Sequence, residues 1–547
     1  MHFYRNGVHV QSLMNGPAIK QVSVQEINRL NKGGQNMNYK ILWTDMHSNL
    51  HHEAIEDLPK WVEQMKQTMD FWPFAYYPYA MMKDPKTGMP VEDRYPLEAI
   101  EKDWEYIREV TKKVNDEGYP MFMGYEWQGA GLDGDHNVFF KDNDQMMEYP
   151  LRYEELVEAY KGKDAIGIPH HLAYQLGHRG KNWATHNETF SPFAETYSSH
   201  GSSENDQTPI EMVRHVHMGP RTGETCTERG LEKGYKVGLI ASGDNHSCPG
   251  VYGFGYCAVL AKSNSKDDIW DAFINRRVYG VSKDRIELDY TIDDKVMGDT
   301  IKKNAKSKLH LDIKAANAID RIEIIKDNKV VEMIPHTSTW ENEELSGTVR
   351  FKFQLELGWG PDRRIFPDIE SRNWHGKLET KGKLISIEKC WSNFGQELRN
   401  VTDNSCEFDV TSYKTTATGK WMGPSAVTTE GFIFEIEDDI DSSVMLTIDG
   451  VDYELKIRDL LYTSKIYPLL DEVSELLKER YNFEEFYRSD SWWHNCYKIK
   501  VGQATPEIGY TRKIEREIDT TNAQNIRVRV WQKNGALAWS SPIFVEE

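Results

Sequence analysis

The chain has 547 residues and a formal net charge of −20 at pH 7, because 86 Asp and Glu outnumber 66 Lys and Arg. We expect no nucleic-acid-binding or anionic-membrane surface, since either would need a basic face and the sequence has no large Lys/Arg cluster. Hydrophobic residues make up 39% of the chain, too many for a disordered protein, and the length allows two to four folded domains.

Several features of the sequence predict a cytoplasmic protein. No segment approaches the roughly 18–20 apolar residues that span a bilayer. Met1–Gly7 leads into polar sequence, so we expect no signal peptide. The six cysteines are scattered without a Cys-x-x-Cys pair, which suits neither a disulfide framework nor a zinc ribbon. An exported protein without its leader would have the same appearance.

Residues 38–285 alternate between strand-like and helix-like patterns. Short apolar runs such as Ile41–Trp43 and Met121–Met123 are followed by helical periodicity, most clearly in Leu97–Val114, where apolar residues recur every three or four positions. This alternation predicts an α/β domain built around a parallel sheet. Residues 1–37 form no clear unit and are expected to be an arm that packs elsewhere or supports a homo-oligomer.

Residues 286–547 alternate at period two, for example in Lys308–Ile313 and Asn525–Val530. This pattern predicts an antiparallel β-sandwich domain. One helical insertion is expected within it, over Leu469–Arg480.

The apolar runs of the first half end in His, Glu or Asp. Twelve of the 18 histidines lie between positions 47 and 246. In α/β folds the carboxyl ends of the strands converge on one site, and imidazole with carboxylate suits Zn, Mn or Fe. The predicted ligand-bearing strand ends are those at His47, Glu126, His170, Glu195 and Asp244. A carboxylate such as Glu126 could bridge two ions.

The order of these ligands resembles the PHP (polymerase and histidinol phosphatase) superfamily of metal-dependent hydrolases. The resemblance extends over about positions 40–547 and is greatest for a large uncharacterised bacterial branch. Its most specific motifs here are Asn137–Phe140, Ser198–Glu204, Ala241–Gly250 and Ala538–Ile543.

The resemblance implies a distorted (βα)7 barrel with a multinuclear metal site and a metal-bound hydroxide that attacks phosphorus or an acyl carbon. It assigns His47, Glu126 and Asp244 to a first ion. It assigns Glu126, His136 and His170 to a second, and His246 to a third.

The sequence departs from the family pattern at two places. Asn49 stands where the family usually has the second His of a His-x-His motif, and the aromatic run Trp72–Tyr79 replaces a later Asp-His pair. We therefore expect one or two divalent ions (Mn, Zn or Fe) rather than three. His51 or His52 could compensate for the lost ligands. The aromatic run either lines the pocket as a stacking surface for a sugar or other ring, or packs in the core.

Three residues are predicted to be catalytic: Glu126, His200 and His246. His200 could protonate a leaving group, orient the substrate or complete a metal shell, because an imidazole titrates near neutral pH. The predicted substrate-binding residues are Tyr77, His171, Arg179 and Glu195.

The sequence thus favours a metal-dependent hydrolase acting on a phosphoester, or a related ester or amide, of a small organic substrate. A metal-dependent lyase of the same fold would use the same ions to polarise a substrate oxygen. A non-catalytic carbohydrate-binding protein with a degenerate barrel is the alternative of a different class.

Overall fold

The computed structural model describes residues 39–547 except 84–85, 87–89, 213–219, 337–338, 343, 362–365, 367, 370, 413–428 and 483–495. The predicted arm, residues 1–37, lies outside the described residues. No helix in the described ranges combines the length and the apolar character needed to cross a membrane.

The first half of the described chain contains strands β1–β13 and five α-helices. The strands are β1 (Lys40–Thr44), β2 (Asn49–His51), β3 (Trp72–Tyr77), β4 (Tyr79–Lys83), β5 (Pro90–Arg94), β6 (Met121–Trp127), β7 (His136–Phe140), β8 (Ala165–Pro169), β9 (Phe193–Ser198), β10 (Gly201–Ser202), β11 (Gly238–Ala241), β12 (Tyr256–Ala261) and β13 (Val278–Val281). The α-helices are Leu58–Thr68, Leu97–Asp116, Tyr153–Ala159, Thr227–Glu232 and Lys266–Ile274, and a 3-10 helix covers His52–Asp57.

The helix Leu97–Asp116 follows the apolar periodicity of the sequence. Its buried side chains include Ile100, Trp104, Ile107, Thr111 and Val114, which recur every three or four positions and therefore share one face. This face of the helix and the side chains on the outer face of β6 belong to the same apolar cluster. The helix begins at the predicted residue.

The strand pairing is mixed. β2, β3 and β6 are parallel, as are β9 and β11, whereas β7 runs antiparallel between β6 and β8. The predicted alternation of strand and helix is therefore interrupted here, and a (βα)7 barrel is not confirmed. The reason is chain length, because residues 128–135 between β6 and β7 are fewer than the dozen that a parallel crossover needs.

The strands β6, β8, β9 and β11 share an inner apolar cluster. Phe122, Ile168, Phe193 and Ile240 are all buried in it. Successive side chains of a strand point to opposite faces, so Glu126, His170 and Glu195 lie on the same faces as Phe122, Ile168 and Phe193. The polar site therefore lies at one end of this apolar cluster.

Within the described residues, the second half contains strands β14–β34 and four short or medium helices. The strands are β14 (Glu287–Ile292), β15 (Lys295–Val296), β16 (Thr300–Lys302), β17 (Ser307–Lys314), β18 (Ile319–Lys326), β19 (Lys329–Pro335), β20 (Thr348–Trp359), β21 (Arg372–Glu379), β22 (Lys383–Cys390), β23 (Glu397–Arg399), β24 (Ser405–Ser412), β25 (Thr429–Asp439), β26 (Ser443–Ile448), β27 (Val451–Lys456), β28 (Lys465–Leu469), β29 (Tyr497–Val501), β30 (Thr505–Pro506), β31 (Thr511–Ile518), β32 (Asn525–Gln532), β33 (Leu537–Ser540) and β34 (Ile543–Glu546). The helices are Thr339–Asn342, Ile457–Leu460, Leu470–Tyr481 and Glu507–Tyr510.

Two antiparallel sheets of this half enclose one apolar cluster. One sheet has the order β22-β25-β20-β29-β28 and the other β23-β24-β21-β26-β27. Phe353 and Phe434 of the first sheet share the cluster with Trp374, Phe408 and Leu446 of the second. The predicted helical insertion is present as Leu470–Tyr481, one residue later than expected.

A third sheet joins the two halves of the chain. Its order is β1-β12-β13-β33-β32-β18-β19, and β13 pairs antiparallel with β33. The Ala538–Ile543 motif thus contributes a strand to the sheet that contains β1. The boundary at residue 285 stays a prediction.

Arg527 of β32 anchors this sheet to the loop that follows β10. Its guanidinium is fully buried and contacts Glu204 at 2.8 Å and Glu228 at 2.5 Å. Burial raises the pKa of Glu204, but the charges of Arg527 and Arg529 outweigh it and leave the pKa below its usual value. Glu204 ends the Ser198–Glu204 motif, so this ion pair supports the segment that contains His200.

Replacing Arg527 by Met is expected to lower the free energy of unfolding by about 3 kcal/mol, because Glu204 and Glu228 lose a buried partner. Urea denaturation followed by circular dichroism measures the effect. The control is Arg516→Met, whose partner Glu332 is part-exposed, and there we expect a loss below about 1 kcal/mol. Equal losses in the two variants would contradict a structural role for the buried pair.

Candidate metal centre

The loop after β1 is held in place by the buried carboxylate of Asp45. It accepts hydrogen bonds from the backbone N–H groups of His47 at 3.0 Å, Gly243 at 2.8 Å and Gly250 at 3.0 Å. Burial raises the pKa of Asp45 to about 6. A Cβ at position 243 would lie 2.7 Å from Asp45 Oδ2, so glycine is required there. Asp45 thus fixes the loops after β1 and β11 to each other.

His47 occupies the centre of the site and is 1% exposed. Its Nδ1 lies 2.8 Å from Glu195 Oε2, and its Nε2 lies 3.3 Å from Asp244 Oδ1 and 3.7 Å from Glu126 Oε2. Burial lowers the pKa of His47, but the charges of Asp244 and Glu195 outweigh it and raise the pKa well above its usual value. Glu195 orients the ring as carboxylates do for metal-ligating histidines, which leaves Nε2 directed at the other two carboxylates.

A second group surrounds His170. Its Nε2 lies 3.8 Å from Glu126 Oε1, and its ring centroid lies 4.1 Å from that of His47. Within the described part of the chain, neither ring nitrogen of His170 has a hydrogen-bond partner. Burial lowers the pKa of His170 and lowers that of the adjacent His171 well below its usual value. His171 Nε2 faces Asp135 Oδ2 at 3.5 Å.

Three buried groups in the described residues have ligand atoms close enough together to hold an ion. They are His47–Glu126–His170, Asp135–His170–His171 and His47–Glu195–Asp244. Bonds of about 2.1 Å to one ion place neighbouring donors roughly 3.0–3.4 Å apart. The separations of 3.3–3.8 Å across the site are close to this spacing, and buried polar atoms without a partner mark positions where an ion fits. The site is therefore suited to divalent ions that accept nitrogen and oxygen ligands.

His136, the predicted ligand of a second ion, lies outside these three groups. Its Nδ1 donates to Gly134 O at 2.9 Å, and its Nε2 lies 3.1 Å from Lys181 Nζ. Burial, followed by the charge of Lys181, lowers the pKa of His136 well below its usual value. On β7 the inner cluster contains Phe139, so Asp135 shares the inward face and His136 the opposite one. Asp135 is the site residue at this strand end.

Asp244 lies between His47 and two further histidines of the site, His200 and His246. Its Oδ2 lies 2.7 Å from His200 Nε2, and its Oδ1 lies 3.6 Å from His246 Nε2. Burial raises the pKa of Asp244, but the charges of His200 and His47 outweigh it and lower the pKa well below its usual value. Tyr174 Oη lies 2.7 Å from His200 Nδ1. His200 therefore holds Asp244 in position, and Tyr174 fixes the ring of His200.

The accessible rim of the site contains His246, whose side chain is 28% exposed. Its Nδ1 lies 2.7 Å from His51 Nε2, and the Tyr77 ring packs edge-on against it at 4.9 Å. Burial, followed by the charge of His246, lowers the pKa of His51 to about 3. His52 instead contacts Asp103 at 2.6 Å. Of the two histidines that could compensate for lost ligands, His51 is the one at the site.

The aromatic run divides between the core and the site, and a stacking role for it stays a prediction. Trp72, Phe74 and Tyr76 pack in the large apolar cluster, whereas Tyr77 lines the site, with its hydroxyl accepting from Gln128 Nε2 at 3.0 Å. The alternation along β3 accounts for the division.

Arg179 supplies a fixed positive charge. Its Nε lies 2.5 Å from Asp135 Oδ2 and its Nη2 lies 3.8 Å from Glu126 Oε1, with the side chain 20% exposed. Arg179, His171 and Asp244 have positive φ angles of 69°, 33° and 51°. Such backbone strain costs about 1–3 kcal/mol per residue and clusters at functional sites.

No family model matches the chain. An uncharacterised protein of Chlamydia pneumoniae is 23% identical over 255 residues, which covers 42% of this chain and 40% of that protein. The chain thus spans about two fifths of the length of this curated relative.

One solved structure is a two-domain protein of Bacteroides vulgatus containing a predicted PHP-like metal-dependent phosphoesterase. It is 13% identical, with a TM-score of 0.30, and the match covers 77% of this chain and 99% of that one.

Proposed function

We propose that the protein is a metal-dependent hydrolase of the PHP type, acting on a phosphoester or a related ester or amide of a small organic substrate. The observation that carries the proposal is the convergence of buried histidines and carboxylates on Glu126, whose two oxygens face His47 and His170. The ligand order that resembles the PHP superfamily supports a distorted (βα)7 barrel as the scaffold. The departures from it are β7, which is antiparallel to both β6 and β8, and β12, which is antiparallel to β1.

The donor sets favour one or two ions, with Mn, Zn and Fe all suited to mixed imidazole and carboxylate ligands. Around His47 Nε2, Glu126 and Asp244 would complete the ligands of one ion. Asp135, His170 and His171 would hold a second ion, with Glu126 facing His170 from the other side. Bound ions would supply an activated water and neutralise charge on the ester oxygens.

The other side chains have roles that follow from their positions. Arg179 Nη2 and the Tyr77 ring lie beside the ligand groups, so Arg179 would bind an anionic group of the substrate and Tyr77 would contact its apolar part. His246, on the accessible rim, would donate the proton from Nε2 to the leaving group. His200 is a positioning residue, because its Nε2 is engaged with Asp244.

The test is metal content and turnover on the same preparation. We expect one or two Mn, Zn or Fe ions per chain by mass spectrometry on tag-free protein, with hydrolysis of bis(p-nitrophenyl) phosphate that stops on chelation and returns with the metal. Bound metal with no hydrolysis of phosphoesters, esters or lactones would favour the lyase. Absence of metal after reconstitution would overturn the proposal and favour the carbohydrate-binding protein.

A further inference from the structure

The side chain of Asn49 lies between two candidate metal ligands. It is fully buried, and its Nδ2 donates to Glu126 Oε2 at 2.7 Å while lying 3.2 Å from His47 Nε2. Its Oδ1 has no hydrogen-bond partner among the described residues. A buried amide oxygen without a partner is uncommon and requires an explanation.

A half-turn about the bond to the amide carbon exchanges the positions of Oδ1 and Nδ2. The oxygen would then lie about where Nδ2 is, near His47 Nε2 and Glu126 Oε2. There Oδ1 would face the carboxylate oxygen Oε2 of Glu126. Because both oxygens carry negative charge, this arrangement is favourable only with a cation between them. The amide orientation in the structure therefore suits the metal-free chain, and the opposite orientation suits the metal-bound one.

We propose that Asn49 is a metal ligand through Oδ1 and that it selects a hard ion, Mn²⁺, over Zn²⁺. This inference rests on the proposed function. With Asn49, the first ion has one nitrogen donor, His47 Nε2, and three oxygen donors, from Asn49, Glu126 and Asp244. Carboxylate and carbonyl oxygens suit Mn²⁺, whereas imidazole suits Zn²⁺ well. An imidazole at this position would replace one of the three oxygens.

The test compares Asn49→Leu, which has a similar shape but no oxygen, with Asn49→His. Each apo-protein is dialysed against Mn²⁺ alone, Zn²⁺ alone and an equal mixture, and bound ions are counted by mass spectrometry and by Mn²⁺ electron paramagnetic resonance. We expect Asn49→Leu to bind the first Mn²⁺ at least tenfold more weakly. Asn49→His should shift the Mn²⁺/Zn²⁺ ratio at least tenfold towards Zn²⁺.

Asn264→Leu is the matched control, because Asn264 also donates one amide hydrogen bond, to Asp70 O at 3.0 Å, and leaves a buried Oδ1 without a partner in the described chain. It should bind both ions as the wild type does. Mn²⁺ binding by Asn49→Leu that is unchanged or tighter would overturn the ligand role, since an amide that merely blocks the site would have this effect. If Asn49→Leu does not fold, an unchanged ion ratio in Asn49→His overturns it. A wild type that binds neither ion overturns the proposed function together with this inference.

Discussion

Glu126→Gln is expected to weaken metal binding by at least about 100-fold, or roughly 2.7 kcal/mol, and to abolish hydrolysis. Glu126 has one oxygen towards His47 and the other towards His170, so its charge serves both candidate ion positions. Gln keeps the shape but loses that charge and places an amide N–H₂ beside one of the imidazoles. Isothermal titration with Mn²⁺ and Zn²⁺, followed by assay of the loaded protein, measures both effects.

The matched control for this substitution is Glu430→Gln. Glu430 is equally buried but accepts its hydrogen bonds from Ser392 N and Asn393 Nδ2 and belongs to none of the three candidate ligand groups. Metal affinity and turnover should be unchanged in this variant. A fully active Glu126→Gln protein would rule out the bridging role of Glu126.

Asp135→Asn and His136→Gln are expected to differ sharply, although the two residues are neighbours. Asp135 faces His171 and Arg179 within the site, so its neutralisation should weaken binding of one ion about 10- to 100-fold. His136 faces Lys181 behind the strand, and a Gln there can still accept that hydrogen bond. Equilibrium dialysis with metal counting distinguishes the two variants.

The two outcomes assign the ligand without ambiguity. Loss of one ion in Asp135→Asn with full occupancy in His136→Gln would establish Asp135 at the second position. The reverse result would restore His136 as the ligand, as the resemblance to the PHP superfamily implies.

The strand ends at His47, Glu126, His170, Glu195 and Asp244 could be predicted because each follows a recognisable apolar run. The structure brings all five together. The orientation of β7 could not be predicted in the same way. All five of its residues, His136–Phe140, are buried, so no polar alternation indicates which face is inward, and the choice between His136 and Asp135 as the ligand stays a prediction.

Residues that reach the site from loops are a second group that the sequence did not identify fully. Tyr174 follows His171 by three residues, but its contact with His200 depends on the path of the chain between β8 and β9 and is not encoded in that spacing. The sequence marks Asn49 only as the position of a missing histidine, because its contact with Glu126 is not encoded in the spacing of the motif. The pairing of β13 with β33 is similar, since period-two patterns indicate strands but not their partners.

The pairing of β13 with β33 also has a consequence for the order of events during synthesis. Val278–Val281 must wait for Leu537–Ser540 to leave the ribosome, and at about 5–20 residues per second that delay is on the order of tens of seconds. Throughout that time one edge of β13 lacks its neighbour, and an exposed edge invites pairing with other chains. Glu204 also waits for its partners, because Arg527 and Trp539 belong to the C-terminal segment that is translated last. The half of the protein that carries the candidate metal centre is therefore translated early but completed late.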